Sequence, residues 1–127
     1  MKNKPVRDVM AIGVPACKPT TSLPSVAQLL SQEAREILVV MGDGGVEGVV
    51  SQSDLARAFL GDYASMAAKD VMSPQVYSLS PDVPLEIAVK EMIEKGVHQM
   101  LVASKGQEKA APLGVLSKRH IVELMAE

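Results

Sequence analysis

Apolar residues recur along the chain with two different spacings, which predict helices and strands in turn. One set lies at i, i+3, i+4 and i+7, the buried face of an amphipathic helix that follows the turn Pro19–Ser22: Leu23, Val26, Ala27 and Leu30. The short apolar run Ile37–Met41 is typical of a buried strand. A glycine-rich turn then predicts a hairpin with a return strand at Val46–Val50.

The same pattern returns in the second half of the chain. A second helix is predicted from Leu85, Ala88, Val89, Met92 and Ile93, with Gly96 as its C-cap. A second hairpin is predicted from Gln99–Ala103 and Leu113–Leu116, and its longer connection, Ser104–Pro112, is expected to loop into solvent.

The two halves are copies of one module. Val6–Met10 returns 62 positions later as Ala68–Met72, and after four extra residues Gly48–Ser51 returns as Gly114–Ser117. Each copy is predicted to run strand, helix, strand, strand, helix, with final helices that begin at Ser51 and Ser117. We therefore expect two domains, residues 5–62 and 63–127, and a function that depends on both.

Composition narrows the possible classes of protein. The chain has 127 residues, a net charge of −2 and no basic stripe, so binding to nucleic acid is not expected. Its one cysteine, Cys17, excludes an intrachain disulfide and suits a reducing cytoplasm, where it is expected to be a small core residue. No apolar run approaches the roughly 20 residues of a membrane span.

The repeated motifs resemble those of a pair of cystathionine-β-synthase (CBS) domains, the Bateman module. They are Asp-Val-Met at 8–10 and 70–72, Ser-Pro-Asp at 80–82, and the segment Gly48–Asp54 at the last strand–helix junction. The resemblance implies an α+β fold in which two β-α-β-β-α motifs pack about a pseudo-twofold axis. The chain departs from the family in lacking the usual strand proline twice, and in having His120 where an acidic residue is usual.

Such modules usually bind adenosine-containing ligands in the cleft between the repeats. The resemblance implies that Ser51, Ser53 and Asp54 bind the nucleotide. Asp54 would bind the ribose, because a carboxylate can accept hydrogen bonds from both ribose hydroxyls. The alternative is structural, since Ser-x-x-Asp is also the pattern of a capping box.

The remaining contacts are also implied by the resemblance. Gln75, Val76 and Tyr77 would contact adenine, although Tyr77 could equally be a core residue. His98 and Arg119 would contact phosphates.

A second, weaker site would lie at the mirror position. It would contain Gly13, Val14, Pro15, Ser117 and His120. His120 offers a diol one acceptor, and Glu36 at the position that matches His98 would repel a phosphate.

Two functions remain in view. The first is a non-catalytic regulatory module that binds AMP, ADP or ATP, with S-adenosylmethionine or NAD also possible, and signals by a change in conformation or in a homodimer. The alternative is an interaction module with vestigial sites that regulates a separately encoded enzyme or transporter. An enzyme is disfavoured because no phosphate-binding loop or nucleophile–base pair is visible. A metal site at His98 and His120 is also disfavoured, because no cysteine lies nearby.

Overall fold

The structure, a computed structural model, describes residues 1–32 and 35–127 and has the predicted α+β class. In the first copy these residues form β1 (Ala11–Ile12), β2 (Ala16–Cys17), α1 (Leu23–Gln32), β3 (Ile37–Gly42), β4 (Gly45–Ser51) and α2 (Gln52–Ala58). They continue with α3 (Ala68–Val71), β5 (Ser78–Leu79), α4 (Leu85–Lys95), β6 (Gln99–Val102), β7 (Gly114–Ser117) and α5 (Lys118–Met125). Two short 3-10 turns, Val6–Asp8 and Tyr63–Ser65, complete the described elements. The order strand, helix, strand, strand, helix is therefore confirmed in both copies, as β2-α1-β3-β4-α2 and β5-α4-β6-β7-α5.

The local signals at the ends of elements are also confirmed. Gly96 ends α4 in the left-handed conformation, with φ 65° and ψ 33°. Ser51 and Ser117 are the N-caps of α2 and α5. The connection between β6 and β7 is exposed from residue 104 to 111, as its polar composition predicts.

The chain forms two compact units whose limits differ from those of the sequence copies. Unit 1 contains residues 1–13 and 77–127, and unit 2 contains residues 14–76. Unit 1 has a four-stranded sheet in the order β1-β7-β6-β5, and unit 2 has a three-stranded sheet in the order β2-β3-β4. Each unit therefore combines the body of one copy with the leading segment of the other. The leading segment of the first copy, residues 1–13, belongs to unit 1, and that of the second copy, residues 63–76, belongs to unit 2.

The leading segments dock through the same backbone hydrogen bonds in both units. In unit 1, Leu85 N–H donates to Lys4 C=O at 2.9 Å and Val6 N–H donates to Val83 C=O at 2.9 Å. In unit 2, the corresponding bonds run from Leu23 N–H to Met66 C=O at 3.0 Å and from Ala68 N–H to Thr21 C=O at 2.8 Å. These bonds give partners to amide groups at the starts of α4 and α1, which have no acceptor within their own helices.

The side chains of the leading segments complete the two cores. Val6 is fully buried in the core of unit 1, and Ala68 is fully buried in the core of unit 2. Asp70 accepts a hydrogen bond from Ala67 N–H at 2.8 Å and so caps α3. The residue at the same place before Asp8 is Pro5, which has no N–H to donate.

Cys17 lies in the core of unit 2, as expected, with 8% of its surface exposed. Burial raises the pKa of the Cys17 thiol, and a hydrogen bond with the Thr21 side chain offsets part of this shift. The neutral thiol is therefore the form that the folded core stabilises.

Two glycines allow the leading segments to lie close beside the last strand of each hairpin, as antiparallel neighbours. Ser73 pairs with Val49 in unit 2, and Ala11 pairs with Val115 in unit 1. A Cβ atom on Gly48 would lie 2.7 Å from the Ser73 carbonyl oxygen, and one on Gly114 would lie 2.2 Å from that of Ala11. The first residue of each Gly-Val-Val-Ser or Gly-Val-Leu-Ser motif must therefore be glycine, because the backbone of the leading segment lies too close for a side chain.

Substitution of these glycines tests the close approach of the two backbones. We expect Gly48→Ala and Gly114→Ala each to lower the free energy of unfolding by about 1–3 kcal/mol, because the new methyl group meets backbone that cannot move cheaply. Gly44→Ala is the matched control, since a Cβ there meets nothing within 4 Å. Urea unfolding of the three variants measures the effect, and equal stability of all three would contradict the close approach of the two backbones.

Candidate functional site

The strand–helix junction of unit 2 is held by reciprocal hydrogen bonds between Ser51 and Asp54. Ser51 Oγ accepts from Asp54 N–H at 3.3 Å, while Asp54 Oδ2 accepts from Ser51 N–H at 2.8 Å and from the Ser51 hydroxyl at 3.1 Å. This is the capping box that the spacing allows. Asp54 is therefore fixed against the end of β4, whatever else it does.

The second carboxylate oxygen of Asp54 has a different partner. Asp54 Oδ1 accepts a hydrogen bond from the Arg57 guanidinium, one helical turn further along α2. The Asp54 side chain is only 11% exposed, whereas that of Arg57 is 71% exposed. Ser53, on the same turn, is exposed.

The junction of unit 1 has the same backbone design with a different side chain. Ser117 Oγ accepts from His120 N–H at 3.4 Å, and His120 Nδ1 accepts from Ser117 N–H at 3.0 Å. An imidazole nitrogen that accepts a hydrogen bond carries no proton. His120 therefore caps α5 through an unprotonated Nδ1 atom. The cap thus needs one acceptor atom and no negative charge.

Each junction lies beside the start of the first hairpin strand of its own copy. In unit 1, Lys118 N–H donates to the His98 carbonyl at 3.0 Å, and in unit 2, Gln52 N–H donates to the Glu36 carbonyl at 3.2 Å. His98 is exposed, and so are Lys118 and Arg119 on the first turn of α5. Unit 1 therefore has three basic residues at its junction, the basic cluster His98, Lys118 and Arg119, whereas the junction of unit 2 combines two carboxylates, Glu36 and Asp54, with Arg57.

Arg119 has a defined partner on its own helix. Its Nε atom lies 3.3 Å from Glu123 Oε1, and both side chains are more than half exposed. Such exposed i,i+4 pairs are weak, so the guanidinium can exchange partners at small cost.

The predicted adenine-binding residues fall at the boundary between the two units. Gln75 is exposed and Val76 half-buried at the end of unit 2, where Ser73 pairs antiparallel with Val49. The chain bends at Pro74, directly after this pair, so the pair does not fix the direction of Gln75 and Val76. Proximity of Gln75 to Asp54 stays a prediction.

Tyr77 is half-buried and belongs to unit 1. It packs against the core of that unit, and Lys95 Nζ lies 5.5 Å from the centroid of its ring. This contact combines the two alternatives for Tyr77, because part of the ring serves the core and one face meets a cation.

The residues of the weaker predicted site are divided in the same way. Gly13 is the last residue of the first stretch of unit 1, where it has φ 78° and its N–H donates to Leu113 C=O at 2.7 Å. Val14 and Pro15 open unit 2, and the Pro15 carbonyl accepts from Val39 N–H at 2.9 Å. Ser117 and His120 lie at the junction of unit 1.

Arg57 and Glu123 are the residues that sequence reasoning missed. They occupy the same place in α2 and α5, three residues after Asp54 and His120. A charged residue at i+3 from a singled-out carboxylate is a readable signal, and here it predicts the observed ion pair. Across residues 1–32 and 35–127, no group of three or more potential metal ligands is arranged to hold a metal ion.

A sequence-family profile described as "CBS domain" matches residues 6–61 and again residues 68–127. The chain is also 26% identical, over 98 residues, to a homoserine O-acetyltransferase from Methanocorpusculum labreanum. That match covers 76% of this chain and 20% of the enzyme, so the chain spans about a fifth of the length of this relative.

Solved structures share the fold at low sequence identity. An uncharacterised conserved protein from Pyrococcus horikoshii has a TM-score of 0.86 and 21% identity, with 100% of this chain and 96% of that chain covered. The CBS domain pair of protein MJ0100, solved with 5′-methylthioadenosine and S-adenosyl-L-methionine, has a TM-score of 0.84 and 16% identity, with 97% and 96% covered.

The capping role of Asp54 can be separated from its charge. We expect Asp54→Ala to lower the free energy of unfolding by about 0.5–1.5 kcal/mol, because Ser51 N–H loses its acceptor in the capping box. Asp54→His should cost less, since the second copy shows that an imidazole can make the same bond. Thermal and urea unfolding check this ranking, with Ser53→Ala as an exposed control on the same turn. An Asp54→His protein as unstable as Asp54→Ala would contradict it.

Proposed function

Because the chain belongs to the CBS domain family, whose paired domains are regulatory modules, we propose that it binds an adenosine-containing ligand through Asp54. The ligand class in view is AMP, ADP or ATP, with S-adenosylmethionine, 5′-methylthioadenosine and NAD as further members. In this proposal the Asp54 carboxylate accepts hydrogen bonds from the ribose hydroxyls. Ser51 and Ser53 lie on the same turn and complete the ribose contacts.

The observation that carries the proposal is the difference between the two caps. His120 caps α5 with a single neutral acceptor, so the cap of α2 does not require the negative charge of Asp54. A carboxylate whose negative charge the cap does not require can accept hydrogen bonds from a ligand. The MJ0100 domain pair, which was solved with two adenosyl compounds, supports the choice of ligand class.

The same difference predicts one competent site for each chain. His120 already uses Nδ1 for the cap, which leaves no second acceptor for a diol. The set Gly13, Val14, Pro15, Ser117 and His120 is therefore proposed to bind weakly or not at all.

The regulatory output is proposed to be a change in conformation or in a homodimer. Unit 1 has an apolar groove of about 420 Å³ between α4 and α5, lined in part by Leu85, Val89, Ile121 and Leu124. Several apolar side chains on these helices are also exposed, among them Ile93 at 65% and Val122 at 64%. These surfaces support self-association, and light scattering that gives a mass near 13.5 kDa at micromolar concentration, with and without ligand, would contradict it.

An interaction module with vestigial sites is the second candidate. Asp54 already has bonds to Ser51 and Arg57, which is the arrangement expected of a purely structural residue. A match to about a fifth of a homoserine O-acetyltransferase also favours a module that acts on an enzyme. We place the protein in the cytoplasm as part of this proposal. None of the described helices is both long and apolar enough to cross a membrane.

Ligand binding and its stoichiometry test the proposal together. We expect a panel of the six ligands to raise the melting temperature, by an amount equivalent to about 2.7 kcal/mol at 100 times the Kd. Calorimetry should give one ligand for each chain, and Asp54→His should remove this binding while the cap is kept. His120→Asp, the reciprocal change, should raise the stoichiometry toward two. Two equal sites in the wild type would contradict the asymmetry, and no binding by any ligand would favour the interaction module.

The basic cluster of unit 1 gives a separate test. We expect His98→Ala and Arg119→Ala to weaken AMP and ATP binding by about 10- to 150-fold, because each variant removes one hydrogen bond to a charged group. The affinity for adenosine, which has no phosphate, should be unchanged. Lys105→Ala, in the exposed connection between β6 and β7, controls for net charge. Equal losses for AMP and adenosine would place these residues away from the phosphates.

A further inference from the structure

We propose that Arg57 is a displaceable competitor of the ligand, so that the Arg57–Asp54 ion pair sets the affinity for the ribose. This inference rests on the proposed function, because it concerns the same carboxylate. It assigns a role to a residue outside the set that the motifs predict. Arg57 acts through Asp54 and is therefore a positioning residue.

The hydrogen-bonding capacity of Asp54 creates the competition. A carboxylate has about four acceptor positions, two on each oxygen. Both bonds made by Ser51, from its N–H and its hydroxyl, end on Oδ2, and Arg57 bonds to Oδ1. A ribose diol brings two donors, so it needs the oxygen that Arg57 now holds.

The exposures of the two partners decide which of them yields. Asp54 is 11% exposed and is held by the cap, whereas Arg57 is 71% exposed and lies in the last turn of α2. An exposed guanidinium can rotate into water at small cost, since such pairs shift an equilibrium by only about 1.4- to 5-fold. The diol therefore displaces Arg57 and leaves the cap in place.

The second copy offers an independent comparison. Where the first copy has Asp54 and Arg57, the second has His120 and Glu123. Both residues differ, and the charge at the second of the two positions is reversed. Glu123 pairs with Arg119, at 3.3 Å, from the turn before it. The copy without a carboxylate at the third helical position thus also lacks the cation that neutralises it, as coupling between the two positions predicts.

A ligand without charge isolates this competition. Adenosine is neutral, so salt changes its affinity chiefly by screening the ion pair that it must displace. Wild-type protein should therefore bind adenosine more tightly as the salt concentration rises. A protein without the Arg57 charge should bind more tightly at low salt and show little response to salt.

The test is calorimetric titration of adenosine into wild-type and Arg57→Met protein at 20 and 300 mM salt. We expect Arg57→Met to bind about two- to fivefold more tightly at 20 mM, and the difference to shrink at 300 mM. Arg7→Met is the matched control, because it removes another exposed ion pair, with Asp82, on a different unit. In the wild type, the ¹⁵N signals of the Arg57 guanidinium should shift on addition of adenosine.

The outcomes separate this inference from the proposed function. If the wild type binds adenosine and Arg57→Met binds equally or less tightly, the competition is overturned and the ribose site remains. A salt response that persists in Arg57→Met also overturns it. If neither protein binds adenosine or any ligand of the panel, the proposed function fails and this inference fails with it.

Discussion

The exchange of leading segments between the two copies is the constraint on which the rest of the structure depends. Leu23 and Leu85 begin α1 and α4 with almost fully buried side chains. Their amide groups find acceptors only in the leading segment of the other copy among the described contacts. An unpaired amide at such a position would cost about 1–3 kcal/mol, so neither body is complete without the borrowed segment. The compact units are consequently offset from the sequence copies.

The same exchange positions the candidate site. The borrowed segments pair with β4 and β7 beside Gly48 and Gly114. These two strands end three residues after the glycines, at Ser51 and Ser117. Each strand end then passes directly into a capped helix. This scaffold is the same in both copies and accepts either Asp54 or His120 as the capping residue. Chemical differences between the sites therefore depend on a few side chains in the first turns of α2 and α5, while the backbone that holds them is constant.

The sequence predicts the features that depend on local spacing. The helical faces, the two hairpins, the caps at Ser51, Ser117 and Gly96, and the repeat itself follow from periods of two and 3.6 residues and from turn chemistry. The exchange is different, because no periodicity records which distant strand a short segment will join. For this reason the predicted domains at 5–62 and 63–127 follow the repeat, whereas the compact units do not.

The local part of the candidate site is predictable from the sequence in the same way. Its capping geometry follows from Ser-x-x-Asp, and its pairing with Arg57 was open to the same i+3 reasoning. The meeting of residues such as Asp54, Tyr77 and His98 at one ligand depends on tertiary placement and stays a prediction.

The exchange also has a consequence for the time course of folding on the ribosome. Unit 2 is one uninterrupted stretch, residues 14–76, whereas unit 1 joins residues 1–13 to residues 77–127. Joining Val6 to Val83 closes a longer loop than joining Thr21 to Ala68. The longer loop costs only about 0.4 kcal/mol more in entropy, so the difference at equilibrium is small. The order of synthesis matters more, because Val6 emerges early and its acceptor on Val83 is made 77 residues later. At about 5–20 residues per second this is a wait of roughly 4–15 s. Of the two leading segments, the one that contains Val6 must therefore remain exposed longer before it is buried.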